Sequence, residues 1–131
     1  ALGGRRVREG SGGCYVEPTV FDGVQPAMRI AREEIFGPVL SVIGFRDLDE
    51  AIHIGNDVIY GLAAAVWTRD ITQAHRAARA LRAGVVYVNC YDADDITVPF
   101  GGFRQSGMGR DKSLHAFDKY TELKTTWIDL T

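Results

Sequence analysis

The strongest constraint on the fold is an alternation of apolar runs and amphipathic segments between residues 39 and 89. Three runs of strand length are rich in aliphatic and β-branched residues, at 39–45, 62–68 and 85–89. Strands separated by single helices form parallel sheets, and their strands, buried on both faces, appear as continuous apolar runs. The sequence therefore predicts an α/β fold with a parallel sheet of alternating strands and helices.

An aspartate in the N-cap position precedes each predicted helix. Asp47 stands three residues before Glu50, and Asp70 stands three residues before Gln73, which is capping-box spacing. We predict that the first helix runs to about residue 54 and that Gly84 ends the second. In the second helix, the residues expected on the buried face are Ile71, Ala74, Ala78 and Leu81.

Composition excludes several classes of protein. The 131 residues contain 15 basic and 17 acidic side chains, without the basic excess of a nucleic-acid-binding protein. No apolar run approaches the roughly 20 residues of a membrane span, and no basic-then-apolar segment of the signal type is expected here. Two cysteines cannot form a disulfide framework, which is typical of a reducing compartment, so we expect a cytoplasmic location. The three histidines lack metal-ligand spacing, and a hydrophobic content of 46% predicts a buried core.

The loop after residue 89 is the first candidate for chemistry, because ligands bind beyond the carboxyl ends of parallel strands. It carries Asp92, Asp94 and Asp95. This acidic run has two interpretations, an exposed solvated loop or a pocket wall that attracts a cationic group. Neighbouring carboxylates disfavour a thiolate, so we interpret Cys90 as a structural thiol and assign no catalytic residue to this chain.

The glycine-rich loop at 101–110 does not match a phosphate-binding pattern. Four residues separate Gly102 from Gly107, but Met108 occupies the position where that loop needs lysine. The glycines are better explained by close approach of backbone segments. Arg104 and Arg110 remain candidates for holding a carboxylate or phosphate, although solvated surface arginines are the commoner case.

The last segment, 119–130, is rich in β-formers. Thr121, Leu123, Thr125 and Trp127 fall on one face of a predicted strand. A long exposed strand needs a partner to cover its edge, so this segment predicts pairing with another chain.

Five motifs, taken together, are more specific than any one of them. They are EPTVF at 17–21, EEIFGPV at 33–39, YGLAAAVWT at 60–68, GVVYVN at 84–89 and PFGGFRQSGMGR at 99–110. In this order the sequence resembles the carboxyl-terminal part of the NAD(P)-dependent aldehyde dehydrogenases over nearly its whole length. That family uses a cysteine thiolate to attack the aldehyde, and the nicotinamide cofactor then accepts a hydride.

The resemblance implies roles for individual residues. Glu34 corresponds to the glutamate that accepts hydrogen bonds from the nicotinamide ribose hydroxyls of NAD (NADP being the alternative). Phe36 corresponds to the aromatic residue beside the nicotinamide, and Phe100 to an apolar wall of the aldehyde pocket. The acidic run resembles the branch that oxidises γ-glutamyl-aminobutyraldehyde or guanidinobutyraldehyde, so Asp92 or Asp94 is expected to favour a nitrogen-bearing aldehyde.

The resemblance also implies the domain organisation. Residues 1–118 correspond to the end of the catalytic domain, and 119–131 to a strand that joins a neighbouring subunit through residues 120–130 in a dimer or tetramer. The family's nucleophile motif, Gly-Gln-x-Cys, its base glutamate and its dinucleotide-binding half are not found. We therefore expect about the last quarter of a longer enzyme, inactive alone. Two alternatives are a non-catalytic assembly module that exposes a β-edge, and a nucleotide-binding fragment acting through its glycine loop.

Overall fold

The computed structural model describes residues 1–93 and 95–131, and these divide into two compact units, Ala1–Val58 and Ile59–Thr131. Short 3-10 helices supplement the strands and α-helices. In the first unit the elements are β1 (Arg6–Val7), β2 (Tyr15–Val16), β3 (Thr19–Phe21), α1 (Arg29–Arg32), β4 (Val39–Ser41) and α2 (Leu48–Asn56). In the second unit they are β5 (Ala63–Val66), α3 (Ile71–Ala80) and β6 (Val85–Val88).

The first unit contains one antiparallel and one parallel strand pair. β1 pairs with β2 antiparallel, and β3 pairs with β4 in parallel, with Thr19 opposite Val39. The short helix α1 lies in the connection between the two parallel strands. β2 ends at Val16 and β3 begins at Thr19. Pro18 lies between them, and proline has no backbone N–H to donate to a strand ladder.

The cap predicted for α2 is present. The Asp47 carboxylate accepts the Glu50 amide at 2.9 Å. The Glu50 carboxylate reaches past the cap to the amide of Arg46, at 2.7 Å, and also pairs with the Arg46 guanidinium. The helix continues to Asn56, two residues beyond the predicted end, and includes Gly55.

The second unit is a strand–helix–strand unit. β5 and β6 are parallel, with Ala63 opposite Val85, and α3 packs against both strands. Asp70 caps α3 by accepting the amides of Thr72 and Gln73. The helix ends at Ala80, before the predicted stop at Gly84. These parallel units confirm the α/β class.

Two details of the predicted sheet and helix face are wrong. The described residues form two separate parallel pairs, β3–β4 and β5–β6, instead of one sheet through the runs at 39–45, 62–68 and 85–89. β4 takes the preceding strand β3 as its partner, across the α1 connection. On α3 Ala74 is buried as predicted and Ala77 is buried as well, whereas Ile71, expected on the same face, is 67% exposed.

The buried core is smaller than the composition predicts. Among the described residues, the buried hydrophobic side chains are Val24, Ala74, Ala77 and Tyr87. Large apolar residues such as Leu40, Trp67 and Phe117 are mostly exposed. Apolar surface of this kind is typical of faces that contact other protein segments.

The predicted strand at 119–130 is not formed in this single chain. A 3-10 helix, Leu114–Lys119, leads into it, and residues 121–131 contain no helix, strand, turn or bend. Strand hydrogen bonds require a neighbouring strand, and none of the described residues provides one here. Leu123 and Trp127 are fully or almost fully exposed. Of the helices in the described ranges, none is long and apolar enough to cross a membrane.

Candidate functional site

The turn between α1 and β4 carries Glu34 and Phe36. Glu33 closes α1, since its amide donates to the Arg29 carbonyl and its carboxylate pairs with the Arg29 guanidinium at 2.8 Å. This hydrogen-bonded pairing lowers the pKa of Glu33 and raises the pKa of Arg29. Glu34 is the next residue and its side chain is exposed. The two adjacent glutamates therefore have different surroundings.

Phe36 has an unusual backbone and an exposed ring. Its φ of 50° lies in the left-handed region, which costs a non-glycine residue of order 1–3 kcal/mol, and its side chain is 94% exposed. The turn is fixed on its far side, where Val39 donates to the Gly37 carbonyl and Thr19 of β3 donates to the Pro38 carbonyl. An exposed carboxylate and an exposed aromatic ring thus lie on one anchored turn.

The loop after β6 begins at Asn89, a residue that sequence reasoning treated only as the end of a strand. Its φ is 55°, and its side-chain amide accepts from Thr68 N at 2.8 Å and donates to Thr68 O at 2.9 Å. The backbone amide of Asn89 donates to the Val66 carbonyl. Asparagine tolerates left-handed conformations better than most residues, and this was the available sequence signal. Asn89 fixes the start of the loop to the end of β5.

The two described members of the acidic run, Asp92 and Asp95, have different surroundings. Asp92 is exposed, with a φ of 56°, and Asp94 lies outside the described residues. Asp95 accepts hydrogen bonds on Oδ1 from the hydroxyl and the amide of Thr97, at 2.6 and 2.8 Å. These bonds, with the nearby charge of Lys112, hold the pKa of Asp95 below its ordinary value. Asp95 therefore stabilises its own turn, whereas Asp92 faces solvent.

Phe100 is half-buried and held by a backbone pair. Its amide donates to the Asp111 carbonyl at 2.8 Å, and its carbonyl accepts from the Asp111 amide at 2.6 Å. The Asp111 carboxylate accepts from Lys119 Nζ, and this hydrogen bond raises the pKa of Lys119. A second tie joins the Ser113 amide to the Ile96 carbonyl at 2.7 Å. The loop that carries Phe100 is therefore attached to the segment after the glycine loop.

The glycine loop confirms the prediction of close backbone approach. A Cβ on Gly84 would lie 1.7 Å from the Gly101 carbonyl oxygen, and one on Gly101 would lie 2.1 Å from that of Gly109. Arg110, a candidate anion ligand from the sequence, donates Nη1 to the carbonyls of Gly102, Met108 and Gly109. Arg110 Nη1 therefore stabilises the backbone of the glycine loop itself.

Two negative findings concern metals and disulfides. Over residues 1–93 and 95–131, no group of three His, Cys, Asp or Glu residues could hold a metal ion. Cys14 and Cys90 are exposed free thiols, and Cys90 lies two residues after β6.

Comparison with known proteins identifies the family. The profile of the aldehyde dehydrogenase family matches residues 1–126. This chain therefore belongs to the aldehyde dehydrogenase family.

Curated relatives agree with this assignment. The chain is 58% identical over 115 residues to the NADP/NAD-dependent aldehyde dehydrogenase PuuC of Escherichia coli K12, covering 88% of this chain and 23% of the relative. It is 58% identical over 118 residues to aminoacetaldehyde dehydrogenase of Pseudomonas aeruginosa PAO1, covering 89% of this chain and 24% of that one. The chain thus spans about a quarter of the length of these relatives.

Solved structures give the same result. The indole-3-acetaldehyde dehydrogenase AldA of P. syringae, in complex with NAD+, is 68% identical with a TM-score of 0.92. The match covers 99% of this chain and 26% of that one. The γ-glutamyl-γ-aminobutyraldehyde dehydrogenase of Burkholderia cenocepacia J2315 is 65% identical with a TM-score of 0.90, covering 96% and 26%.

Proposed function

We propose that this chain is part of an NAD(P)-dependent aldehyde dehydrogenase that converts an aldehyde to its carboxylic acid. The observation that carries the proposal is the family match over residues 1–126. In the whole enzyme an upstream cysteine attacks the aldehyde to give a thiohemiacetal, and NAD(P)+, when bound, supplies the hydride acceptor. The base that activates water also lies upstream. The segment alone is inactive in this proposal.

Glu34 and Phe36 contribute to the cofactor site in this proposal. A carboxylate accepts hydrogen bonds from two vicinal hydroxyls at once, so Glu34 suits the nicotinamide ribose. The exposed Phe36 ring supplies an apolar surface for the nicotinamide end. Both side chains are exposed on a turn that is held by backbone hydrogen bonds, and this supports their assignment to the cofactor site. NAD is the proposed cofactor, with NADP as the alternative.

The proposed substrate is an amino- or guanidino-aldehyde. Phe100 forms an apolar wall, and Asp92 or Asp94 attracts the nitrogen-bearing end. Support comes from the exposure of Asp92 and from two matched proteins named for aminoacetaldehyde and γ-glutamyl-γ-aminobutyraldehyde. The similar protein AldA is named for indole-3-acetaldehyde, an uncharged aromatic aldehyde. An aldehyde of that kind is therefore the comparison substrate.

Charge-neutral variants of the acidic run test the substrate class in the full-length enzyme. We expect Asp92→Asn or Asp94→Asn to lower kcat/KM for a cationic aminoaldehyde at least about tenfold, because loss of a charge-assisted contact costs roughly 1.5–3 kcal/mol. Activity toward an uncharged aliphatic or aromatic aldehyde should change less than about twofold. Asp95→Asn is the matched control, since Asp95 is bound to Thr97. Equal losses on all substrates, or none, would contradict the assignment.

We also propose that residues 1–118 complete a catalytic domain and that 119–131 form an oligomerisation strand in a dimer or tetramer. The exposure of Leu123 and Trp127 supports this. The same exposure favours the second candidate, an assembly module without catalysis. Steady-state assay of the full-length protein with NAD and an aminoaldehyde separates the two, because the module has no aldehyde-dependent NADH production.

The proposed location is cytoplasmic, and no nucleic-acid partner is proposed. The near-neutral charge and the two free thiols support this.

A further inference from the structure

Lys112 lies over the ring of Phe100. Its Nζ is 5.4 Å from the ring centroid, and both side chains are half-buried. A cation within about 6 Å of an aromatic face is attracted to the negative charge of the π system, more strongly when water is partly excluded. No motif spacing pairs position 112 with position 100, so the sequence alone assigns no role to this lysine.

The backbone brings the two residues together at a cost. The Phe100–Asp111 backbone pair places position 112 directly after the partner of Phe100. Lys112 and Ser113 both have left-handed φ angles, 58° and 53°. Such conformations persist in non-glycine residues only where surrounding contacts impose them. Here the Ser113 amide donates to the Ile96 carbonyl at 2.7 Å, which attaches this turn to the loop that carries Phe100.

Lys112 also interacts electrostatically with the acidic run. Its charge adds to the Thr97 hydrogen bonds in stabilising the ionised Asp95 carboxylate. The ammonium group is therefore attracted both to an aromatic face and to a carboxylate, and both attractions favour its position above Phe100.

We propose that Lys112 is a positioning residue that holds the Phe100 ring in place as a wall of the aldehyde site, a role that rests on the proposed function of Phe100. Lys112 restrains the ring without contacting the reacting atoms. A ring that moves freely binds the aldehyde less well, in the ground state and in the transition state alike. Loss of the restraint therefore raises KM and leaves kcat unchanged.

The test uses the full-length enzyme with an uncharged aliphatic aldehyde, so that attraction or repulsion between Lys112 and a charged substrate does not contribute. Lys112→Met keeps the length and the apolar stem, and Lys112→Gln is a second uncharged variant. We expect each to raise the aldehyde KM roughly three- to fivefold, with kcat and the KM for NAD unchanged. Lys112→Arg keeps the cation and should restore the wild-type KM. An unchanged KM in both uncharged variants overturns the proposal, as does a failure of Lys112→Arg to restore it.

A double-mutant cycle separates this proposal from the one on which it rests. Phe100→Leu removes the ring, and in that background Lys112→Met should change KM by less than about 1.5-fold. Equal effects in both backgrounds would show that Lys112 acts without Phe100, overturning the positioning role and leaving the wall intact. If Phe100→Leu itself leaves KM unchanged, the assignment of Phe100 to the aldehyde site is wrong, and the role of Lys112 falls with it.

Discussion

At the scale of single residues, two adjacent glutamates of the α1–β4 turn have different roles, one structural and one proposed to be functional. Glu33 pairs with Arg29 and ends a helix, whereas the exposed Glu34 is proposed to bind the cofactor ribose. The pair offers a matched experiment, because both side chains are exposed and carry the same charge.

Glu34→Gln in the full-length enzyme should raise the KM for NAD at least about tenfold, because a neutral amide replaces a charged acceptor and hydrogen bonds to charged groups are worth roughly 1.5–3 kcal/mol. Glu33→Gln, which loses only an exposed ion pair, should leave this KM within about twofold. Steady-state kinetics with varied NAD at saturating aldehyde measures both. Equal KM values for the two variants would remove Glu34 from the cofactor site.

At the scale of elements, the second unit depends on backbone segments that touch through glycine. Gly84, before β6, lies against the carbonyl of Gly101, so the start of the strand and the glycine loop are in van der Waals contact. Gly101 directly follows Phe100, the residue of the proposed aldehyde wall. A side chain at position 84 therefore disturbs the strand and the proposed aldehyde wall together.

Gly84→Ala should destabilise the enzyme strongly, by about 3 kcal/mol or more, because the new methyl group overlaps backbone that cannot rotate away. Gly44→Ala is the control, since a Cβ there meets nothing within 4 Å. The midpoint of thermal inactivation of the full-length enzyme should fall for the first variant and stay unchanged for the second. Similar midpoints would mean that the loop shifts to accept the methyl group at little cost.

Elements also show which features the sequence could predict. The caps at Asp47 and Asp70 were predictable, because a cap depends on residues three positions apart. The choice of β3 as the partner of β4 was not, since strand pairing depends on contacts between distant residues and several apolar runs compete. The contact of Lys112 with Phe100 was hidden for the same reason, as a backbone bridge from Phe100 to Asp111 creates it.

At the scale of the whole molecule, the last eleven residues have an alternating sequence, and no strand formed by residues 1–93 or 95–131 pairs with them. Residues 121–131 are all exposed, and Leu123 and Trp127 lie on one face of the predicted strand. An unpaired edge with large apolar side chains is unfavourable in water and prone to association. The proposed pairing with a second copy would satisfy the unpaired backbone groups along the edge of this strand.

Single proline substitutions at adjacent positions test this pairing in the full-length protein. In a strand, successive amides point to opposite sides, so Thr125→Pro and Thr126→Pro remove donors facing opposite edges. If the segment pairs along one edge, one variant loses a ladder hydrogen bond and dissociates into smaller species at micromolar concentration, while the other assembles normally. Sedimentation velocity measures the mass of each. Native mass in both variants would contradict assembly through this strand, whereas dissociation of both would indicate a strand paired along its two edges, as an interior strand of a shared sheet is.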